Sequence, residues 1–265
     1  MKFGIDDLKK LDFDKLHIPR FDWPELKIKK PKPSPELKFL SKFNLRCLSM
    51  SVLKYIAIVA MSLDHIFAVF FSGYPELRIV GRIVIPILAL ALVEGYAHTK
   101  NRFKYLASMI LCAAVSEIPW QLLMYGEITF TELGPLFALT FAFLGLLVFD
   151  AMSKQRLENR VICAAGIAVI GALLCGTYGI YIIFLVLIFA LLKNYSTVHK
   201  GFCNSLWSLF YGIGANSLQI YAVIASIPIL LYNGKRGNCW KWFFYIYYPA
   251  HILVLYGIAK LMGIR

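Results

Sequence analysis

Val52–Phe71, VLKYIAIVAMSLDHIFAVFF, decides the fold. Twenty residues at a rise of about 1.5 Å each span roughly 30 Å, the thickness of a bilayer hydrocarbon core. The stretch is apolar except for Lys54 near its start and Asp64-His65 past its middle. A carboxylate and an imidazole in hydrocarbon are costly unless they face a protein interior or a wet cavity. An intramembrane ionisable pair is therefore a candidate functional site.

The rest of the chain repeats the pattern. Hydrophobic residues make up 59% of the sequence, and the mean hydropathy is +0.66. Residues 51–265 hold only sixteen Lys+Arg and eight Asp+Glu. Those charges fall mostly between apolar blocks long enough to cross a bilayer. Continuous apolar runs punctuated by Gly and Pro read as helices, not as the alternating strands of an outer-membrane barrel. The expected fold is all-α, a polytopic helical membrane protein with about nine spans, within a range of eight to ten.

The nine are 52–71, 78–98, 103–125, 134–151, 160–176, 178–193, 201–214, 217–233 and 242–262. With the N-terminus inside, the loops His98–Lys104, Ser153–Arg160, Lys193–Lys200 and Asn233–Lys241 are cytoplasmic and basic, whereas the opposite loops carry Glu76, Glu127 and Glu132. That alternation fits the positive-inside rule and a multi-pass location in the bacterial cytoplasmic (inner) membrane. The 201–214 block is the weakest span. Dropping it would put Lys235, Arg236 and Lys241 outside, which favours nine spans over eight.

Residues 1–50 differ. They carry twelve Lys+Arg, seven Asp+Glu and the cluster Pro31-Lys32-Pro33-Ser34-Pro35. We read them as a cytoplasmic or juxtamembrane arm, apart from a membrane domain over 51–265. Basic residues with interspersed leucines suit an anionic lipid surface. The absence of an early apolar run predicts no cleavable signal peptide. The net charge of +13 sits in the arm and the short loops, so a nucleic-acid partner is not expected. The six cysteines show no CxxC pair or zinc-ligand spacing, so no metal is expected.

Counting residues along each span gives the depth of the polar groups. Asp64 and His65 come out ~18–20 Å from the cytoplasmic edge, Arg82 ~24 Å, Glu117 ~21 Å and His251 ~13 Å. Glu94 and Asp150 fall near the inner edge. Lys54 and His65 share one helix face ~16 Å apart. Asp64 and His65 are neighbours and do not face each other on a helix. Glu117 or a tyrosine is therefore the expected orienter of His65, and Arg82 the expected partner of Asp64.

Several motifs together resemble the TraX family over about residues 51–260. They are Leu53-Lys54-Tyr55-Ile56-Ala57 with Met61 and Asp64-His65-Ile66, Val80-Gly81-Arg82-Ile83 with Pro86, Glu94-Gly95-Tyr96 with Thr99 and Arg102, Lys104-Tyr105 and Ser116-Glu117-Ile118-Pro119. Tyr232-Asn233-Gly234-Lys235-Arg236-Gly237 and Tyr247-Tyr248-Pro249-Ala250-His251 complete the set. Gly134 and Thr177 stand where the family pattern suggests asparagine and aspartate.

The resemblance implies an acetyltransferase, since TraX proteins of conjugative plasmids are associated with acetylation of pilin. It also implies kinship with the acyltransferase family 3 group, whose first helix carries Arg-x10-His; Lys54-x10-His65 has that spacing. Acetyl-CoA is the implied donor. The acceptor is an amine or hydroxyl at the membrane or outer face, such as a peptide N-terminus or a hydroxylated polymer.

On this reading His65 is the general base or a transiently acetylated carrier, and Glu117 or Asp64 fixes its tautomer. Arg82 stabilises the oxyanion or pairs with a carboxylate. Lys54, Glu94, Tyr248 and His251 are candidate substrate contacts, and Lys100, Arg102 and Lys104 candidate contacts for CoA phosphates. A proton-coupled transporter and a catalytically silent scaffold of a conjugation or secretion system are the alternatives. Transporters typically show inverted repeats, and no convincing repeat is visible in the sequence.

Overall fold

The computed structural model describes residues 46–238 and 240–264. The expected arm lies outside these except for its last five residues. Among the described residues there are eight α-helices and no β-strand, only an isolated parallel bridge between Leu48 and Tyr232. The helices are α1 (Met50–Phe70), α2 (Val84–His98), α3 (Arg102–Tyr125), α4 (Pro135–Ala151), α5 (Leu157–Leu191), α6 (Thr197–Gly214), α7 (Ser226–Leu230) and α8 (Lys241–Leu261). Four stretches are long and apolar enough to cross a membrane: α1, α3, α5 and Trp242–Leu261 within α8. Apolar side chains fill the core and also cover much of the outer surface. Leu173 and Ile213 are 78% and 80% exposed, whereas Asp64, His65, Arg82, Glu117, Lys200 and His251 are buried. An exposed apolar belt around buried charge is the arrangement of a helical membrane protein.

Two expected spans begin differently from a plain α-helix. Residues 78–98 and 217–233 open as nine-residue 3₁₀ helices, Pro75–Ile83 and Ser217–Ala225, which run into α2 and α7. Pro86 and Pro228 each stand at the third residue of the α-helix that follows, where the missing N–H has no intrahelical partner to lose. Each 3₁₀ segment lies against the helix before it, α1 or α6, and the two segments pack on each other. Gly81 makes the first contact possible: a Cβ there would overlap the Asp64 side chain.

The expected spans 160–176 and 178–193 form one helical run, α5, broken at Gly176. A Cβ at Gly179 would lie 3.5 Å from the Gly171 carbonyl oxygen. Eight residues of straight helix would separate them by about 12 Å, so the chain turns back at Gly176. Its φ of 66° and ψ of −167° lie in a region essentially restricted to glycine, costing roughly 1–3 kcal/mol for other residues. A side chain would also run into Glu132. Gly176→Ala is therefore expected to lower the thermal unfolding midpoint in detergent. An unchanged midpoint would show that this turn is not fixed.

α8 packs along α3 and α1. Pro249 cannot donate to the Tyr245 carbonyl, which instead accepts from the Cys112 thiol on α3 at 3.6 Å. The N-terminus of α1 is closed by the loop before α8. Met50 and Ser51 donate their backbone N–H groups to the carbonyls of Lys235 and Arg236 at 2.9 and 3.0 Å. Helix donors that have no partner within α1 thus fasten the backbone of Lys235 and Arg236 to its first turn.

Candidate active site

α1 presents two successive residues to two different neighbours. Asp64 faces the first 3₁₀ segment. Its carboxylate accepts from Arg78 at 3.1 and 3.0 Å in a two-pronged bond and from Arg82 Nη2 at 2.9 Å. Arg82 also donates to the Arg78 carbonyl at 3.3 Å and to Gln219 Oε1 of the second 3₁₀ segment at 3.5 Å. The expected Asp64–Arg82 pair is present. Arg78, the first residue of the expected span 78–98, was missed as a partner of Asp64. The available signal was a cation four residues before Arg82, on the same face of a helix.

His65 faces α8. Its Nδ1 lies 2.9 Å from Nε2 of His251, and the two rings are nearly parallel, 8° apart with centroids at 5.1 Å. Tyr247 stacks on His251 at 5.0 Å, and Tyr248 presents its ring edge to both histidines. Ser62, one turn before His65, is 2.7 Å from the Tyr247 hydroxyl. His251 therefore occupies the orienting place expected of Glu117 or a tyrosine. Glu117 is committed elsewhere: it accepts from Gln121 Nε2 at 2.7 Å and from the Gly134 backbone N–H at 3.0 Å, fastening α3 to the start of α4. Asp64 does not fix the His65 tautomer either, because its oxygens go to the two arginines.

A cavity of about 720 Å³ runs between α1, α2, α3, α4 and α8, within the roughly 300–1,000 Å³ of small-molecule sites. At the end where α1 begins and α2 finishes, it is bordered by Lys54, His98, Lys104 and Arg236. Lys54 Nζ also lies 5.2 Å over the Phe244 ring. Further along, the lining turns apolar and aromatic, through Met61, Leu88, Met109 and Cys112 to Tyr247 and Tyr248. The two tyrosines connect the cavity to the histidine pair.

Buried Tyr232 in the loop before α8 also lines the cavity. Its phenol, with an ordinary pKa of about 10, is a neutral hydroxyl at physiological pH.

The TraX protein family model matches residues 49–259. A probable fimbrial assembly protein FimC, serogroup H1, from Dichelobacter nodosus is 32% identical over 235 residues, covering 77% of this chain and 92% of the relative. No solved structure matches. The chain belongs to the TraX family.

The structure sorts the residues that carry the TraX resemblance into three groups. Lys54, Glu94, Lys104, Arg236 and Tyr248 line the cavity. His65 and His251 meet beside it, and Asp64 and Arg82 form the arginine cluster on the other side of α1. Arg102, expected to meet phosphate, instead bonds Asp150 Oδ2 at 2.8 Å and lies 4.3 Å over the Tyr96 ring. A cation held by a fully buried carboxylate is occupied in structure, so we correct its role to joining α3 to α4. Lys100 is exposed on the loop and is not part of the cavity lining. Glu94, besides lining the cavity, pairs with Lys200 at 3.3 Å and lies 3.6 Å from His98.

Proposed function

We propose that this TraX-family chain is an integral membrane acetyltransferase with nine crossings and a cytoplasmic N-terminus in the bacterial inner membrane. In this topology the cation-bordered end of the cavity faces the cytoplasm, and acetyl-CoA enters there as donor substrate. One observation carries the reading: a cavity with basic residues at one end has two tyrosines at the other, both touching a buried histidine pair. Lys54, Lys104 and Arg236 suit the donor phosphates, and the apolar passage suits its thioester arm.

His65 takes the proton from an acceptor amine or hydroxyl as the nucleophile attacks the thioester carbonyl carbon. The C–S bond then breaks, and the departing thiolate receives that proton from His65. The products are the acetylated acceptor and free CoA thiol. Arg78 and Arg82 neutralise Asp64 and leave a net positive charge on the far side of α1, a favourable field for negative charge developing nearby. The FimC relative makes a pilin-like N-terminal amine the first acceptor to try.

The testing experiment measures acetyl-CoA binding and slow hydrolysis by the purified protein in lipid nanodiscs. Wild-type protein is expected to bind, and Arg236→Glu to weaken binding about tenfold, a change of roughly 1.4 kcal/mol. The exposed side chain of Arg236 makes this substitution tolerable for folding. Wild-type protein that fails to bind acetyl-CoA removes the donor and with it the acetyltransferase reading.

A further inference from the structure

The histidine pair is a directed chain of hydrogen bonds, and its direction can be read from its end. His251 Nδ1 lies 2.9 Å from the backbone carbonyl oxygen of Tyr247. A carbonyl only accepts, so this nitrogen carries the hydrogen. In a neutral imidazole the other nitrogen is then bare and accepts. That bare nitrogen, His251 Nε2, faces His65 Nδ1 at 2.9 Å, so His65 donates. The hydrogen of neutral His65 therefore sits on Nδ1, and its Nε2 keeps a lone pair. The reverse direction would set the lone pair of His251 Nδ1 against the carbonyl oxygen, or require a doubly protonated His251 in the interior. Both are costly.

We propose that His251 is a positioning residue that holds His65 in its Nδ1–H tautomer and so makes Nε2 the nitrogen that receives the acceptor's proton. When Nε2 gains that proton, the imidazolium keeps its Nδ1–H bond to neutral His251, which spreads charge toward the Tyr247 carbonyl. His251 neither gains nor loses a proton in the cycle. The logic is that of an orienting partner behind a general base, with a neutral imidazole and a backbone carbonyl in place of a carboxylate. Tyr247 and Tyr248 hold the His251 ring from its face and its edge, so the acceptor nitrogen stays aimed at α1. The role in transfer rests on the acetyltransferase reading; the proton arrangement does not.

The test is nitrogen-15 NMR of histidine-labelled full-length protein in lipid, with signals assigned by single substitution of its five histidines. Wild-type His65 is expected to show protonated Nδ1 and bare Nε2. His251→Ala should abolish that preference. His251→Gln, whose amide oxygen can stand where Nε2 does, should restore it. The same two variants are assayed for label transfer from acetyl-CoA. The alanine variant is expected to lose about 10- to 100-fold in kcat with donor binding unchanged, and the glutamine variant to recover most of it. If the His65 tautomer is the same in His251→Ala as in wild type, the inference is overturned whatever the activity. If the tautomer responds as expected but wild-type protein transfers no acetyl group, the proton arrangement stands and the catalytic role falls together with the acetyltransferase reading.

Discussion

His65→Ala in lipid nanodiscs is expected to bind acetyl-CoA like wild type while losing acetyl hydrolysis and transfer by about 10²–10⁴-fold, the contribution of a positioned general base. Binding should survive because His65 is not part of the cavity lining. The cation-bordered end is formed by Lys54, Lys104 and Arg236, eleven residues or more from it in sequence. A fall in rate with unchanged binding marks an interaction made only along the reaction. Loss of both together would mean that the histidine pair shapes the cavity, and His65 would no longer be the base. Mass spectrometry after rapid acid quench separates the two chemical roles. A base leaves no acetyl group on wild-type protein, whereas a covalent carrier leaves one on His65.

The second large effect concerns folding. Asp64→Ala removes the carboxylate that neutralises Arg78 and Arg82, whose side chains are 33% and 8% exposed. Breaking a buried pair by removing one partner typically costs about 3–5 kcal/mol, because a charge is left without compensation. The substitution is expected to lower the unfolding midpoint sharply and to reduce the yield of monodisperse protein. The double variant Asp64→Ala/Arg82→Met should recover part of that stability, since the stranded buried cation has gone. If Asp64→Ala melts with wild type, the cluster is not a structural clamp. If the double variant melts with the single one, uncompensated charge is not the cause.

Much of this was written in the chain itself. The apolar blocks fixed the helical class, because no soluble packing accommodates so much hydrocarbon at such lengths. Buried charges pointed to Asp64, His65, Arg82 and His251, because each is too costly in hydrocarbon without a partner. The Asp64–Arg82 pair followed from similar depth and opposite sign. Arg102 and Glu117 were misjudged for one shared reason. Sequence gives a residue's depth but not its azimuth, and both side chains turn toward structural partners on their own side of the bundle, Asp150, Gln121 and Gly134.

By itself, then, the sequence determined that the chain is helical and apolar on its outer surface, and that the few charges within its spans lie inside. Periodicity and transfer energy act residue by residue and need no fold to be read. The tertiary structure alone decided which charges meet. His65 and His251 are 186 positions apart, and only the packing of α8 on α1 brings their nitrogens into hydrogen-bond range. Arg236 reaches the cavity only because its loop caps the first turn of α1. Partnership between distant residues is a property of helix rotation and loop closure, which a one-dimensional hydrophobic pattern does not specify.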